Sequence, residues 1–483
     1  MSSDQYLKSM IHLTLLHTND LHGRVTQLLH IATLVRQIRA EVKTNGGYCL
    51  YLDAGDSEDT SLLESSLTKG SAMEAILRGA GCDYVALGNA ILARYGPQAI
   101  INLAKYFGRP LLCANIFSHD GKLLEGLQEY VIETVGGIKI SIIGLTDPIK
   151  TYEVVFHLLT KKPIDLLPDK IGDLRSQGAQ MIILLSHLGF KDDQKVAEEI
   201  AGIDVIIGGH SHTKLDQALL LKDTIIVQAG EFGQFLGRLD LEVDPVSGKI
   251  TLFKEELIPI TDDIPSDPEA QAAVHIQKER VDETMRLEIG TLREQIDLVS
   301  DCECAAGNLL ADALLERTQG AQIALVLAGH WNTGLDSGSL TQGALYSANR
   351  STANPAKVEL SGEQIETFLR EALKVENAAR QIGPLRGNPV GMPHVAGMRV
   401  RYDPEELTLL EIIVGEEPLQ KDRKYIVAST DMEFSNYVNY LVIPDEQVDY
   451  EVPTIMPEVL EDYIARHSPL AMPTGQRFTR RQS

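Results

Sequence analysis

The chain has 483 residues, 44% of them hydrophobic, which exceeds what one hydrophobic core usually serves, so two domains are expected. Its 44 Lys+Arg against 68 Asp+Glu give a formal net charge of -24, which argues against nucleic acid or an anionic membrane surface as a standing partner. No window is apolar for long enough to span a bilayer, and the opening residues lack the apolar run and small-residue cleavage site of a signal peptide.

Five cysteines, an odd number, lie at Cys49, Cys82, Cys113, Cys302 and Cys304, the first three in or beside apolar runs. A reduced, cytoplasmic setting is the expectation. Cys302 and Cys304 have no second cysteine pair with which to complete a metal site.

From residue 11 to about 260, short apolar runs alternate with amphipathic stretches. The runs fall at 13–16, 48–52, 84–87, 138–143, 181–185 and 205–207, with helical spacing at 28–42 and 195–200. That alternation predicts strand and helix units in an α/β layered domain over residues 1–263. Residues 264–297 then predict a linker helix: Ser266 or Asp267 can cap it, Pro268 suits its first turn, and Val274, Val281 and Met285 make an apolar stripe. Residues 298–483 predict a second α/β domain, with helices at 308–318 and 363–375 and strands at 323–328, 398–402 and 424–429. The Gly- and Pro-rich stretch 384–393 reads as an exposed loop, and 477–483 as a disordered tail.

Several ligand-type residues follow the apolar runs directly: His17-Thr-Asn-Asp20-Leu-His22, Gly55-Asp56, Gly88-Asn89, Ser186-His187 and Gly209-His210-Ser211-His212. Strand ends in α/β sheets gather loops into one crevice, and this donor set suits two divalent cations. Asp20 and His22 are two apart, so an extended loop sends both side chains to one face, and His210 and His212 repeat the spacing. Asp56 is the candidate bridge, and Asn89 and His187 complete the second cation. A lone Gly-Asp or Ser-His pair is more often a turn or a capped helix, but five such pairs in order are hard to obtain by chance. His12, His17, His30 and His157 lack this setting and read as surface or core residues.

The order Asp-x-His, Gly-Asp, Gly-Asn, His, Gly-His-x-His resembles the calcineurin-like metallophosphoesterase superfamily. His17-Thr-Asn-Asp20-Leu-His22-Gly23 with Leu52-Asp-Ala-Gly-Asp56 narrows the resemblance to the 5'-nucleotidase family. Gly307-Asn308-Leu-Leu-Ala-Asp312, Gly338-Ser-Leu-Thr341-Gln-Gly343 and Val358-Glu-Leu-Ser-Gly362 extend it into the second half. The resemblance implies an N-terminal four-layer β-sandwich flanked by helices, a linker helix and a C-terminal α/β substrate domain. It implies Asp20, His22, Asp56 and His212 on one metal, and Asp56, Asn89, His187 and His210 on the other. The cofactors so implied are two divalent ions, which His and carboxylate ligands do not restrict among Mn, Zn, Fe and Mg. Water attacks phosphorus while the cations neutralise phosphoryl charge. The substrate so implied is a small-molecule phosphoester, with a nucleotide as one candidate.

Two departures stand out. The family usually reads Gly-Asn-His-Glu, whereas this chain reads Gly88-Asn89-Ala90-Ile91. A methyl group neither donates a proton nor a hydrogen bond, so Asn89 and, as a substitute cation, Arg94 are the catalytic candidates, the alternative for Arg94 being a solvent-facing role. In the second domain the family commonly reads Asn-Ala-Gly-Gly-Ile-Arg, whereas this chain reads Leu327-Ala-Gly-His330-Trp331-Asn332, and a usual phenylalanine is Met432. His330, Trp331 and Asn332 are the substrate-binding candidates, with Phe434, Tyr437 and Arg350 behind them. The expected function is metal-dependent phosphoester hydrolysis, slowed by Ala90 and with altered specificity; the alternative is an inactive metal-containing nucleotide-binding or sensing protein.

Overall fold

A computed structural model of the chain describes residues 10–59, 63–299, 301–382, 388–473 and 475–481. The chain divides into two compact units, Met1–Arg280 and Val281–Ser483. The division falls inside the helix Pro268–Met285, which lies within the segment expected to hold a linker helix.

The N-terminal unit is built on two sheets. One has five strands in the order Ile250–Pro259, Phe235–Val243, Ile11–Thr18, Tyr48–Asp53, Tyr84–Val85; the other has six, Leu219–Leu221, Thr224–Val227, Val205–Gly208, Met181–His187, Ile138–Thr146, Tyr130–Val135. Successive strand residues point to opposite faces, and the sequence uses both. Leu13, Leu15, Leu239 and Leu241 of the first sheet meet Ile140, Ile142, Ile183 and Leu185 of the second in one dry core. Ile143, Leu145, Ile182 and Leu184 point the other way, onto Leu167, Ile171 and Leu174 of the helix Pro163–Ser176 and Val196 of Phe190–Glu199. On the outside of the first sheet, the helix Val25–Thr44 packs on Tyr48–Asp53 and buries Leu28, Ile31, Val35, Ile38 and Val42, one stripe at helical spacing. The result is the four-layer arrangement of helices, sheet, sheet and helices. Both sheets run strands in parallel beside the site, Ile11–Thr18 with Tyr48–Asp53 and Met181–His187 with Val205–Gly208, so their C-terminal ends lie at the same edge.

The C-terminal unit has a five-stranded sheet, Pro393–Ala396, Ile323–Leu327, Lys424–Thr430, Pro355–Ser361, Val448–Tyr450, with the helix Ala305–Arg317 packed on its Ile323–Leu327 and Pro393–Ala396 strands. A four-stranded sheet joins Glu417–Pro418, Thr408–Val414, Met398–Asp403 and Phe478–Arg480. That last strand corrects the expected disordered tail over 477–481, and residues 482–483 lie outside the described residues. Phe478 is buried, it runs parallel to Met398–Asp403, and Arg477 pairs with Asp312 at 2.7 Å while Glu303 accepts the backbone N–H groups of Arg477 and Phe478. The stretch 384–393 lies in part outside the described residues, and its far end is not exposed: Val390 and Met392 are buried and Pro393 begins a strand.

Candidate metal centre

Each expected ligand sits at or just beyond a strand's C-terminal end. Asp20 and His22 follow Ile11–Thr18, Asp56 follows Tyr48–Asp53, and Asn89 follows Tyr84–Val85; His187 ends its strand, and His210 and His212 follow Val205–Gly208. The first loops are zipped together beyond the strands: Ala54 N donates to Thr18 O, Asp20 N to Gly55 O at 2.9 Å, His22 N to Asp56 O at 3.1 Å and Gly23 N to Ser57 O at 2.8 Å.

Five of the seven expected ligands have left-handed backbone: Asp20 at φ 50°, His22 at 43°, Asp56 at 53°, His210 at 70° and His212 at 55°. Such residues cost on the order of 1–3 kcal/mol each and persist only where the surroundings over-determine them. For Asp20, His22 and Asp56 the ladder just described is that surrounding, and His210 N is held on Asp20 Oδ2 at 2.8 Å. Gly88 is needed for a different reason: a Cβ there would lie 2.0 Å from Asp56 Oδ1.

The side chains converge. His22 Nε2 and His212 Nε2 are 3.2 Å apart, and both face Asp20 Oδ1, at 3.7 and 3.4 Å. Asn89 Oδ1 lies 3.0 Å from His187 Nε2 and 2.9 Å from His210 Nδ1, and Asp56 Oδ2 lies 3.3 Å from His187 Nε2. Two groups of donors thus lie within reach of one ion each: Asp20, His22 and His212, and Asp20, Asp56 and His187. Asp20 belongs to both, beside the expected bridge Asp56.

The donor chemistry fits divalent cations. Asp20 Oδ1 is buried and has no hydrogen-bond partner among the described residues, an arrangement that costs free energy without a cation. Burial would raise the Asp20 carboxyl, but contacts with His212 and His22 hold it well below the usual carboxylate range. Burial pushes His187 down, yet the Asp56 carboxylate raises it to about 9, and Asp20 raises His212 to about 9. His210 is lowered, by burial and by His187 beside it.

A surrounding layer escaped the sequence reading. His212 Nδ1 donates to Glu231 Oε2, His187 Nδ1 to Ala54 O at 2.7 Å and His22 Nδ1 to Glu58 O at 3.1 Å, so each ring turns Nε2 inward. His210 is reversed: Nδ1 faces Asn89 and Nε2 lies 3.6 Å from Asp147 Oδ2. Asn19 Nδ2 donates to Asp20 Oδ2 at 2.7 Å and to Gly230 O at 2.6 Å. Phe232 sets its ring edge-on to His22 and His212. The signal available for these was a carboxylate and an aromatic between Gly230 and Gly233, just after the apolar run 225–227.

Ala90 opens the short helix Ala90–Tyr95, and its backbone N–H donates to Asp56 Oδ1 at 3.1 Å. Arg94 is half-buried in the last turn of that helix. In the C-terminal unit the structure turns three expected substrate contacts inward. Trp331 and Phe434 belong to that unit's hydrophobic core, and His330 commits both ring nitrogens to side chains of its own unit, Ser351 and Glu433. Asn332 and Tyr437 are exposed, as is Arg350.

Residues 13–214 match the family described as calcineurin-like phosphoesterase, and residues 288–442 match the 5'-nucleotidase, C-terminal domain. The chain is 26% identical over 462 residues to an uncharacterized metallophosphoesterase, YunD, of Bacillus subtilis (strain 168), covering 94% of this chain and 98% of that protein. It is 26% identical over 523 residues to a 5'-nucleotidase of Bos taurus, covering 94% and 88%. The solved NAD nucleotidase (NadN) of Haemophilus influenzae shares the fold, with a TM-score of 0.62 at 18% identity, covering 98% of this chain and 100% of that one. With both characteristic domains matched in order and the ligand residues brought together at the strand ends, the chain belongs to the 5'-nucleotidase family of calcineurin-like phosphoesterases, metal-dependent hydrolases of phosphoesters.

Proposed function

We propose that this chain hydrolyses a small-molecule phosphoester, of which nucleotides are the leading class, with two divalent cations held by the seven ligands. The observation that carries the reading is the convergence on Asn89 Oδ1 of His187 and His210, beside the Asp20, His22 and His212 group. Asp20, His22 and His212 would hold one ion, Asn89, His187 and His210 the other, with Asp56 shared. Bound there, such ions polarise a phosphoryl oxygen and acidify the attacking water.

The chain's own residues do the positioning. Glu231 and the Ala54 and Glu58 carbonyls fix the imidazoles of His212, His187 and His22, so their donor atoms need little reorganisation, and Asp147 lies 3.6 Å from His210 Nε2. At position 90 the side chain is a methyl and the only donor is the backbone N–H, which Asp56 takes. A side-chain acid at that point typically contributes ~10²–10⁴-fold. Its absence supports slow turnover, and the altered loop at Leu327 to Asn332 supports changed specificity. The five free thiols support a cytoplasmic working place. Relatives named 5'-nucleotidase support nucleotides as the substrate class.

The test is elemental analysis of the purified chain, then phosphate release from a panel of mono- and diesters with Mn, Zn, Fe or Mg added back. Two ions per chain and release abolished by Asp56→Asn are expected. No release from any ester would leave the second reading, which Ala90 favours: a nucleotide-binding protein without turnover, recognised by nucleotide-induced thermal stabilisation.

A further inference from the structure

The segment that departs most from the family in the C-terminal unit builds a chain of three polar side chains. His330 Nε2 donates to Glu433 Oε1 at 2.9 Å, and His330 Nδ1 lies 2.7 Å from Ser351 Oγ. Glu433 is fully buried and also accepts Leu327 N at 3.0 Å and the Thr430 hydroxyl. Burial works against its charge, but His330 and these donors hold the carboxyl below its ordinary value. An ionised Glu433 selects the tautomer with hydrogen on Nε2. In that tautomer Nδ1 faces the Ser351 hydroxyl as an acceptor. Ser351 Oγ in turn accepts the Ala353 N–H at 3.3 Å, which leaves its own hydrogen for His330, and Ser351 N is anchored on Asn349 Oδ1 at 3.1 Å.

We propose that Ser351, His330 and Glu433 form a second, metal-independent site in which Ser351 is a nucleophile toward small carboxylic esters. A core needs no such chain: a buried His–Glu pair is no more stabilising than well-packed apolar residues of the same volume. Here the carboxylate is sealed, the imidazole is 2% exposed, and only the serine is half-buried at a loop. That graded exposure is what a nucleophile with a base and an orienting acid requires. The serine faces Nδ1 and the carboxylate Nε2, and either ring nitrogen serves as base when the other is held by a carboxylate.

As Oγ bonds the acyl carbon, the hydroxyl proton passes to His330 Nδ1. The imidazolium, paired with Glu433, gives that proton to the departing alkoxide as the ester C–O bond breaks. Water then attacks the acyl-serine with His330 as base, releasing the carboxylic acid and restoring Ser351. The sum is ester plus water to acid plus alcohol.

A fluorophosphonate reports the first step, because an Oγ–P bond forms as P–F breaks and hydrogen fluoride leaves. The full chain is labelled in EDTA, digested, and the adduct located by mass spectrometry. An adduct on Ser351, lost in Ser351→Ala and formed ~10²–10⁴-fold more slowly in His330→Gln or Glu433→Gln of unchanged circular dichroism, is expected, with p-nitrophenyl acetate hydrolysis falling in step. Absence of an adduct on Ser351 overturns the proposal, as does an unchanged labelling rate in whichever of the two relay variants folds. Because labelling proceeds in EDTA, its failure says nothing about the phosphoester site.

Discussion

The carboxylate of Glu231 accepts a hydrogen bond from Nδ1 of His212, which turns His212 Nε2 toward Asp20. This fixes both tautomer and ring orientation of one proposed ligand, and such partners typically matter 10–100-fold to cation affinity. Glu231→Ala is therefore expected to weaken Mn binding by roughly that factor, read by calorimetric titration, with the thermal midpoint little changed. Affinity equal to the parent's would show that His212 needs no partner.

Gly88 gives a sharper prediction. A Cβ there meets Asp56 Oδ1 at 2.0 Å and Asp56 N at 2.4 Å, and backbone cannot retreat as a flexible side chain can. Gly88→Ala is expected to displace Asp56 and with it both metal content and phosphate release. A variant that keeps full metal stoichiometry and rate would mean that the two loops separate at little cost.

The layered fold, and the gathering of the seven candidate ligands at strand ends, were legible because strand alternation and strand-end ligand types leave a local pattern. Met181 to Leu185 reads as a continuous apolar run, and it is buried on both faces of its sheet, as are Ile140, Ile142 and Ile143 of the neighbouring strand. Glu231, Asp147 and Asn19 were not legible, because each acts on a residue distant in the chain or through a backbone group that no pattern marks. His330 and Trp331 were read as substrate contacts from residue type alone; burial, a three-dimensional property, turned them inward. The strand Phe478–Arg480 was missed because one phenylalanine among cations carries no periodicity, and pairing with Met398–Asp403 supplies its order.

Cation binding should release protons. His187 and His212 are raised to about 9 by Asp56 and Asp20, so near neutral pH both carry a proton that a cation on the same nitrogen must displace. Apparent affinity is accordingly expected to climb as pH rises toward about 9 and then level off. Calorimetry in buffers of different ionisation enthalpy measures the release directly, and a heat independent of buffer would contradict it.

The proposed slow turnover predicts that Ala90→His gains activity. Position 90 starts a helix whose first N–H is fixed on Asp56, so a new side chain enters beside the ligand loop. The kcat for p-nitrophenyl phosphate should rise by ~10²-fold, the low end of what a positioned acid supplies, since residues 91–95 are also altered. An unchanged kcat would place the limiting step elsewhere.

His394 sets a pH limit on the C-terminal unit. It is fully buried, donates Nδ1–H to Met392 O at 3.1 Å, and its Nε2 accepts the N–H of Cys304 at 3.0 Å, the residue that precedes the helix Ala305–Arg317. Burial lowers its pKa from 6.5 to about 4, and protonation would place a second hydrogen against the Cys304 N–H. The sign follows from which state binds the proton: above 6.5 neither does, while between 6.5 and about 4 only the unfolded chain does, so stability falls as the pH falls through that window. At ~1.4 kcal/mol per pH unit the loss reaches about 3 kcal/mol. Denaturant unfolding followed by circular dichroism from pH 7 to 4 should show this slope, and His394→Gln, less stable at pH 7, should lose it. A variant with the parent's slope would assign the acid sensitivity to other groups.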